Sequence, residues 1–285
     1  MTVWQRRWRS ISYNMDKELF EKMDCFFDTI SKYNAPAVAF SGGIDSTLLA
    51  VAANKLFPGL PCIILVSALL SQEELTDARK IAREHALNLV EIESDELLQE
   101  DIAINSPERC FYCKKYRFEL ICAWIEKHGH DIIFEGSNLD DLSDYRPGMK
   151  ALSQAPKVCS PLLESGFKKG DVRALANEWR IRIWNKPSAS CLATRVDYGN
   201  RLSPEILAKI DAAENIIRKH IPANSNLRVR LHSDIARIET DTDNFAIIMQ
   251  PHIYTGIAKA IRQLGLSFVT LDLCGFKSGN MNRNI

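Results

Sequence analysis

Two groups of residues in this 285-residue chain have types and spacings that allow chemistry. The first is the stretch Ser41-Gly42-Gly43-Ile44-Asp45-Ser46. Adjacent glycines let backbone N–H groups converge where a Cβ would block them. A helix starting just after them adds the positive end of its dipole, so the turn suits an anion such as phosphate. Ser41 and Ser46 add hydroxyl donors. Asp45 facing a phosphate needs a cation between them, and Mg²⁺ is the usual one. No lysine follows the glycines, which separates this turn from the common G-x-x-x-x-G-K pattern. Two glycines alone favour a ligand-free turn. The phosphate reading rests on the strand before them and the helix after them.

The second group is three thiols, Cys110, Cys113 and Cys191. Cys110-Phe111-Tyr112-Cys113 places two of them at i and i+3, on one face of a helix start, with Arg109, Lys114 and Lys115 alongside. Cys191 stands in Pro187-Ser188-Ala189-Ser190-Cys191-Leu192-Ala193-Thr194-Arg195, which has no helical or strand period and reads as a functional loop. Spacing leaves three readings open. The cysteines are unrelated; or they bind zinc with a fourth ligand such as Cys159 or a histidine; or they hold an iron–sulfur cluster with one iron open.

Further candidates are weaker. Gly136-Ser137-Asn138 follows a strand, at the carboxyl edge where open α/β sheets bind ligands, and Ser67 follows another. Arg228 and Arg230 alternate on a strand and so share a face, suited to a phosphate or to ordinary ion pairs such as one with Glu239. Arg195 beside Cys191 and Glu214 on a neighbouring helix are substrate candidates. Asp140, Asp141 and Asp144 could position Mg²⁺ or simply cap a turn. Arg146-Pro147-Gly148 reads as a turn. The tryptophans, Trp4 and Trp8 included, read as packing residues, and the six histidines have no metal-ligand spacing.

The elements that must position these residues follow from hydrophobic period. Helices are expected over about 14–33, 46–56, 71–86, 110–127, 169–179, 203–220 and 252–264. Strands are expected at 37–40, 62–66, 89–92 and 132–134, then near 227–231, 235–239, 245–249 and 267–272. Residues 137–165 read as turn-rich. The alternation in the first half implies an α/β fold with a parallel sheet. The second half reads as a smaller α+β domain, which gives residues 1–200 and 201–285 as the two domains. Lys+Arg 36 balance Asp+Glu 36, so global charge offers no case for nucleic-acid binding. No signal peptide or membrane span is evident, so a cytoplasmic protein with unpaired cysteines is expected. A homo-oligomer is also expected, with Phe26 and Phe27 either at its interface or in the core.

The strand–S-G-G-I-D-S–helix segment resembles the PP-loop ATP pyrophosphatases, whose fold is that of the adenine nucleotide alpha hydrolases. The resemblance implies ATP held by Ser41, Gly42, Gly43, Asp45, Ser46, Ser67, Gly136 and Asn138, and cleavage to AMP and pyrophosphate. Two further stretches, Gly136 to Gly148 and Ser188 to Arg195, resemble the ATP-dependent sulfur transferases of nickel-pincer nucleotide biosynthesis over almost the whole chain. That resemblance implies adenylation of a carboxylate on a pyridinium mononucleotide and its conversion to a thiocarboxylate. One branch of that family sacrifices the sulfur of the cysteine matching Cys191 and is left with dehydroalanine. Another has two additional cysteines and a 4Fe–4S cluster, and Cys110 and Cys113 resemble that branch. A separate sulfur donor is then an expected partner, and Arg195, Arg228, Arg230 and Glu214 are expected at the substrate. The rivals are a tRNA thiolase, an ammonia-using ligase like NAD or GMP synthetase, and a non-catalytic nucleotide-binding module with structural zinc.

Overall fold

The computed structural model describes residues 16–142, 155, 157–187 and 189–277. Trp4, Trp8, Ser143, Asp144, Tyr145, Arg146, Pro147, Gly148 and Ser188 lie outside the described residues. Two compact units divide the chain. The first takes in the described chain up to Leu65, Asp77–Ile92 and Lys114–Lys186; the second takes in Val66–Thr76, Glu93–Cys113 and the described chain from Pro187. A boundary near residue 200 cuts the chain once, whereas these units cut it at several points.

In chain order the elements of the first two-thirds are α1 (Lys17–Ile30), β1 (Pro36–Ala39), α2 (Ile44–Leu56), β2 (Pro61–Val66), α3 (Gln72–Glu84), β3 (Asn88–Glu93) and α4 (Glu100–Ala103). Then come α5 (Arg109–Lys127), β4 (Ile132–Phe134), β5 (Val158–Cys159), α6 (Pro161–Glu164) and α7 (Lys169–Glu178). The five strands form a parallel sheet in the order β3-β2-β1-β4-β5, which bears out the α/β expectation. Pro61-Cys62-Ile63-Ile64-Leu65-Val66 is a near-continuous apolar run, as a strand covered on both faces requires. On one face Ala37, Ile63, Leu65 and Ile133 pack against Phe118, Ile121 and Ile125 of α5. Phe26 of α1 is core in this unit, against Phe167 at 5.5 Å.

Strand order does the positioning. β1 lies between β2 and β4, with Val38 beside both Cys62 and Phe134. The chain therefore leaves β1 and β4 side by side, at the carboxyl edge of the sheet. The fifth strand, Val158–Cys159, falls in the stretch read as turns; two residues carry no period, and only pairing with Ile133 and Phe134 defines them.

The second unit holds α8 (Pro204–Arg218), β6 (Leu227–His232), β7 (Ile235–Thr240), α9 (Phe245–Ile248), α10 (Pro251–Gln263) and β8 (Phe268–Leu271). Ser203 caps α8, its hydroxyl accepting from Ile206 N–H at 3.3 Å. Its sheet has the order β6-β7-β8, with β6 antiparallel and β8 parallel to β7. The strand expected near 245–249 is instead a short helix. Five consecutive apolar residues do not distinguish strand from helix. A 3₁₀ turn at Thr242–Asn244, with Asn244 Nδ2 donating to Thr240 Oγ1 at 3.0 Å, bends the chain into α9.

Glu239 on β7 is fully buried. Its Oε2 accepts from Arg230 Nε and Nη2 at 3.1 and 3.0 Å, and its Oε1 lies 3.0 Å from Arg237 Nη1. Glu239→Ala would strand buried guanidinium charge, so a loss of about 3–5 kcal/mol is expected. Urea denaturation checks this; an unchanged midpoint would refute the account.

Candidate functional site

The glycine turn of the first unit is built by its own side chains. Gly42 has φ +71°, and a Cβ there would lie 2.9 Å from the Ala78 Cβ, so only glycine fits. Ser46 Oγ accepts from Ser41 N–H at 3.2 Å and donates to Gly43 C=O at 3.1 Å. Ser41 Oγ lies 3.0 Å from Ser46 Oγ and accepts from Gly43 N–H at 3.3 Å. Gly43 is the N-cap of α2 and has no side chain to occupy that helix end. What remains is a helix N-terminus ringed by hydroxyls, the geometry expected of an anion site.

The turn after β4 abuts it. A Cβ on Gly136 would lie 3.0 Å from Ser46 N and 3.2 Å from the Asp45 carbonyl carbon. Asn138 Nδ2 donates to Asp45 Oδ1 at 3.1 Å. Asp141 accepts from Asn138 N–H at 2.9 Å, while Asn138 Oδ1 accepts from Asp140 N–H at 3.0 Å. Sequence reasoning missed Glu135, which is buried and holds this turn. It accepts from Ser137 N–H at 3.1 Å, Ser137 Oγ at 2.8 Å and Ser160 Oγ, with Lys114 Nζ at 3.8 Å.

Lys169 was missed as well. It is the first residue of α7, and its ammonium pairs with Asp45 Oδ2. Its own N–H donates to Asp140 Oδ2 at 2.9 Å. The cation absent after the glycines thus arrives from another element. One signal in the sequence could have found it: a lysine opening a helix opposes the dipole and calls for an acidic partner.

The remaining candidates belong to the second unit. Ser67 there caps a turn, accepting from Leu69 N–H at 3.3 Å. Cys191 is the N-cap of a 3₁₀ turn, Leu192–Arg195, and its loop is anchored by Leu192 N–H donating to Leu69 C=O at 2.9 Å. Arg109 Nη2 lies 3.7 Å from Cys110 Sγ. Burial opposes the charge of Arg109, yet Cys191 and Cys110 outweigh it and raise the guanidinium above its ordinary value. The same guanidinium reaches the Cys191 loop at Ala193 C=O, 3.3 Å from Nη1. Cys159, the alternative zinc ligand, belongs to the first unit; burial pushes its thiol up to about 12, and it donates to Glu164 Oε1 at 3.2 Å. Among the described residues no three His, Cys, Asp or Glu side chains converge as a metal-holding group. Cys110, Cys113 and Cys191 as arranged are thus not a closed ligand set.

Arg195 and Glu214 are brought together, both buried. Arg195 Nε and Nη2 donate to Glu214 Oε1 and Oε2 at 2.9 and 3.1 Å. Its Nη1 donates to Ser190 C=O, Ser190 Oγ, Cys191 C=O and Thr194 Oγ1 at 2.6 to 3.0 Å. Glu214 also accepts from Val229 N–H at 2.9 Å. Arg230 pairs with Glu239, and its Nη1 donates to Thr194 C=O. Arg228 differs. Burial, with Arg195 next in weight, pushes its guanidinium down to about 10.

The fold and these sites define the class: a Rossmann-like α/β protein with a glycine turn at a strand–helix junction and a second unit that carries paired thiols. Over 247 residues the chain is 35% identical to pyridinium-3,5-bisthiocarboxylic acid mononucleotide synthase of Lactiplantibacillus plantarum, covering 86% of this chain and 88% of that protein. It is 32% identical over 247 residues to an uncharacterised protein of Synechocystis sp., covering 86% and 91% of the two chains. It is 32% identical over 241 residues to an uncharacterised protein of Methanocaldococcus jannaschii, covering 85% and 90%. No protein-family model matches the chain. The chain belongs to the family of the pyridinium-3,5-bisthiocarboxylic acid mononucleotide synthases.

Arg228 yields a pH-signed prediction. Its folded pKa lies below that of a free guanidinium, so the fold opposes its charge at every pH below about 10 and the penalty fades only above that. At neutral pH, replacing the charge or neutralising it with an anion should therefore stabilise the protein. Arg228→Met is expected to melt higher than the parent without ligand. A nucleoside monophosphate at 100 times its Kd should add about 2.7 kcal/mol to the parent and markedly less to the variant. Calorimetry at both conditions checks this, and equal ligand shifts would show that Arg228 does not meet the phosphate.

Proposed function

We propose that this chain is an ATP-dependent sulfur transferase that turns carboxylates of a pyridinium mononucleotide into thiocarboxylates. The relative of that name supports the product, and the glycine turn supports the activation. The observation that carries the sulfur chemistry is the Cys110 thiol 3.7 Å from the buried Arg109 guanidinium, which also donates to Ala193 C=O on the loop of Cys191.

The activating half is in the first unit. Backbone N–H groups at Gly42, Gly43 and the start of α2 bind the β,γ-pyrophosphate, with Ser41 and Ser46 in support. Asp45, whose carboxylate Asn138 fixes, would hold Mg²⁺, which would neutralise phosphate charge; Lys169 supplies further positive charge to the leaving pyrophosphate. The turn at Gly136, which abuts Asp45 and Ser46, is proposed at the same nucleotide. The substrate carboxylate attacks the α-phosphorus, the bond to the β-phosphate breaks, and an acyl adenylate forms.

The delivering half is in the second unit, where Arg228 takes the substrate phosphate. Cys191 thiolate adds to the acyl carbon and AMP leaves, giving a thioester. Loss of the Cα proton and cleavage of Cβ–S then releases the thiocarboxylate and leaves dehydroalanine at position 191. Arg195 and Glu214, proposed near the substrate, hold the loop on which Cys191 acts. The common anchoring of the Cys110 helix start and the Cys191 loop by Arg109 favours a second reading, in which Cys110, Cys113 and Cys191 would hold a 4Fe–4S cluster that would supply an exchangeable sulfide. Because these cysteines do not form a closed set as arranged, no step is assigned to it.

ATP and a pyridinium dicarboxylate mononucleotide should yield AMP, pyrophosphate and a sulfur-containing product. Cys191→Ala should keep pyrophosphate release and lose the product; Lys169→Met should slow pyrophosphate release about 100-fold. Release of ADP and phosphate would refute the reading. One turnover with loss of hydrogen sulfide mass from Cys191 supports sacrifice; iron, labile sulfide and repeated turnover after anaerobic reconstitution support the cluster.

A further inference from the structure

Residues 103–109 and 193–202 of the second unit are joined by a buried polar seam. Leu202 N–H donates to Ala103 C=O at 2.8 Å, and Gly199 N–H to Asn105 C=O at 3.0 Å. Asn105 is fully buried and left-handed, with φ +57°. Its Nδ2 donates to Asp197 C=O at 2.9 Å and Val196 C=O at 3.3 Å, and its Oδ1 accepts from Arg109 Nη1. Arg109 is only 2% exposed. The same Nη1 reaches Ala193 C=O at 3.3 Å, and the Tyr198 ring centre lies 5.5 Å from its Cζ. Among the described residues, Arg109 forms no ion pair with a carboxylate.

A guanidinium is a costly way to tie down a loop. A neutral amide would satisfy the same carbonyls without burying a charge. What the fork adds is several donors in one fixed plane. One of them is directed at Cys110 Sγ, on the residue next to Arg109, and another at Ala193 C=O, two residues beyond Cys191.

We infer that Arg109 is a positioning residue for sulfur transfer: it fixes the Cys191 loop, through Ala193 C=O, to the start of the helix that carries Cys110, whose thiol it also meets. Its purpose rests on the sulfur-transfer reading; its geometry does not. The role differs from that of Arg195, which braces the Cys191 loop from the Glu214 side and is neutralised there.

The test uses the full chain with Cys113→Ser, reduced and metal-free under anaerobic conditions. A short bifunctional thiol alkylator, each sulfur displacing one halide, should join Cys110 to Cys191, as read by peptide mass mapping. Absence of that cross-link in this parent overturns the inference, whether or not any Arg109 variant folds. Arg109→Met should abolish the cross-link, and Arg109→Lys, which keeps the charge but not the fork, should retain only part of it. An undiminished cross-link in Arg109→Met overturns the inference. With the native cysteines, Arg109→Met should slow single-turnover sulfur transfer about 100-fold, the scale of a misplacement of about 1 Å, and leave pyrophosphate release unchanged. An equal fall in both rates signals general damage and overturns the inference. If the parent transfers no sulfur at all, the proposed function fails while the cross-link still decides the positioning role.

Discussion

A charge taken out of water must be met by partners, and the chemistry-bearing loops of this protein are shaped by that constraint. The Cys191 loop has little regular structure to hold it, only the 3₁₀ turn Leu192–Arg195. Its shape comes instead from Arg195. That guanidinium, buried beside Glu214, finds its remaining acceptors in Ser190, Cys191 and Thr194, so the loop is wrapped around its side chain. Arg230 extends the arrangement by reaching Thr194 C=O while paired with Glu239. A loop that looks irregular in sequence is thereby given one conformation.

The first unit meets the same constraint with the sign reversed. Asp45 stands in the first turn of α2, and Asn138 and Lys169 hold its carboxylate there. Glu135 is more deeply buried and gathers hydroxyl and amide donors from Ser137 and Ser160. Backbone proximity makes both networks reachable. Gly42 lets the turn after β1 close on Ala78 of α3, and Gly136 lets the turn after β4 close on Asp45 and Ser46, so the ends of β1 and β4 share donors and acceptors.

Local features were legible in the sequence and distant ones were not. The glycine turn and the strands around it could be read because apolar runs and glycines act within a few residues. The capping serines Ser71 and Ser203 were legible for the same reason, and Ser71 Oγ does accept from Glu74 N–H at 3.2 Å. Phe245 to Met249 was misread because a short apolar run has no period. Lys169 and Asp45 are 124 residues apart, and Arg109 and Ala193 are 84 apart, so neither pairing has a local trace. Both cations do share one signal. Each opens a helix, α7 or α5, where the dipole disfavours positive charge, and each is kept there by a contact elsewhere in the chain.

The three arginines that the sequence grouped together part company on this ground. Arg195 and Arg230 each meet a buried carboxylate, Glu214 and Glu239, and their charges serve the fold. Arg228 shares a strand face with Arg230, yet burial and the neighbouring Arg195 press its charge downward. A cation that the fold opposes lowers stability while nothing anionic is bound, and an arriving phosphate relieves that penalty by its own charge. Arg228 Nη1 also donates to Leu227 C=O at 2.6 Å, and its Cζ lies 5.4 Å from the Phe276 ring centre. Spacing along a strand treats Arg228 and Arg230 alike; burial separates them, because the charge of Arg230 is met by Glu239 while that of Arg228 is pressed downward by burial and by Arg195.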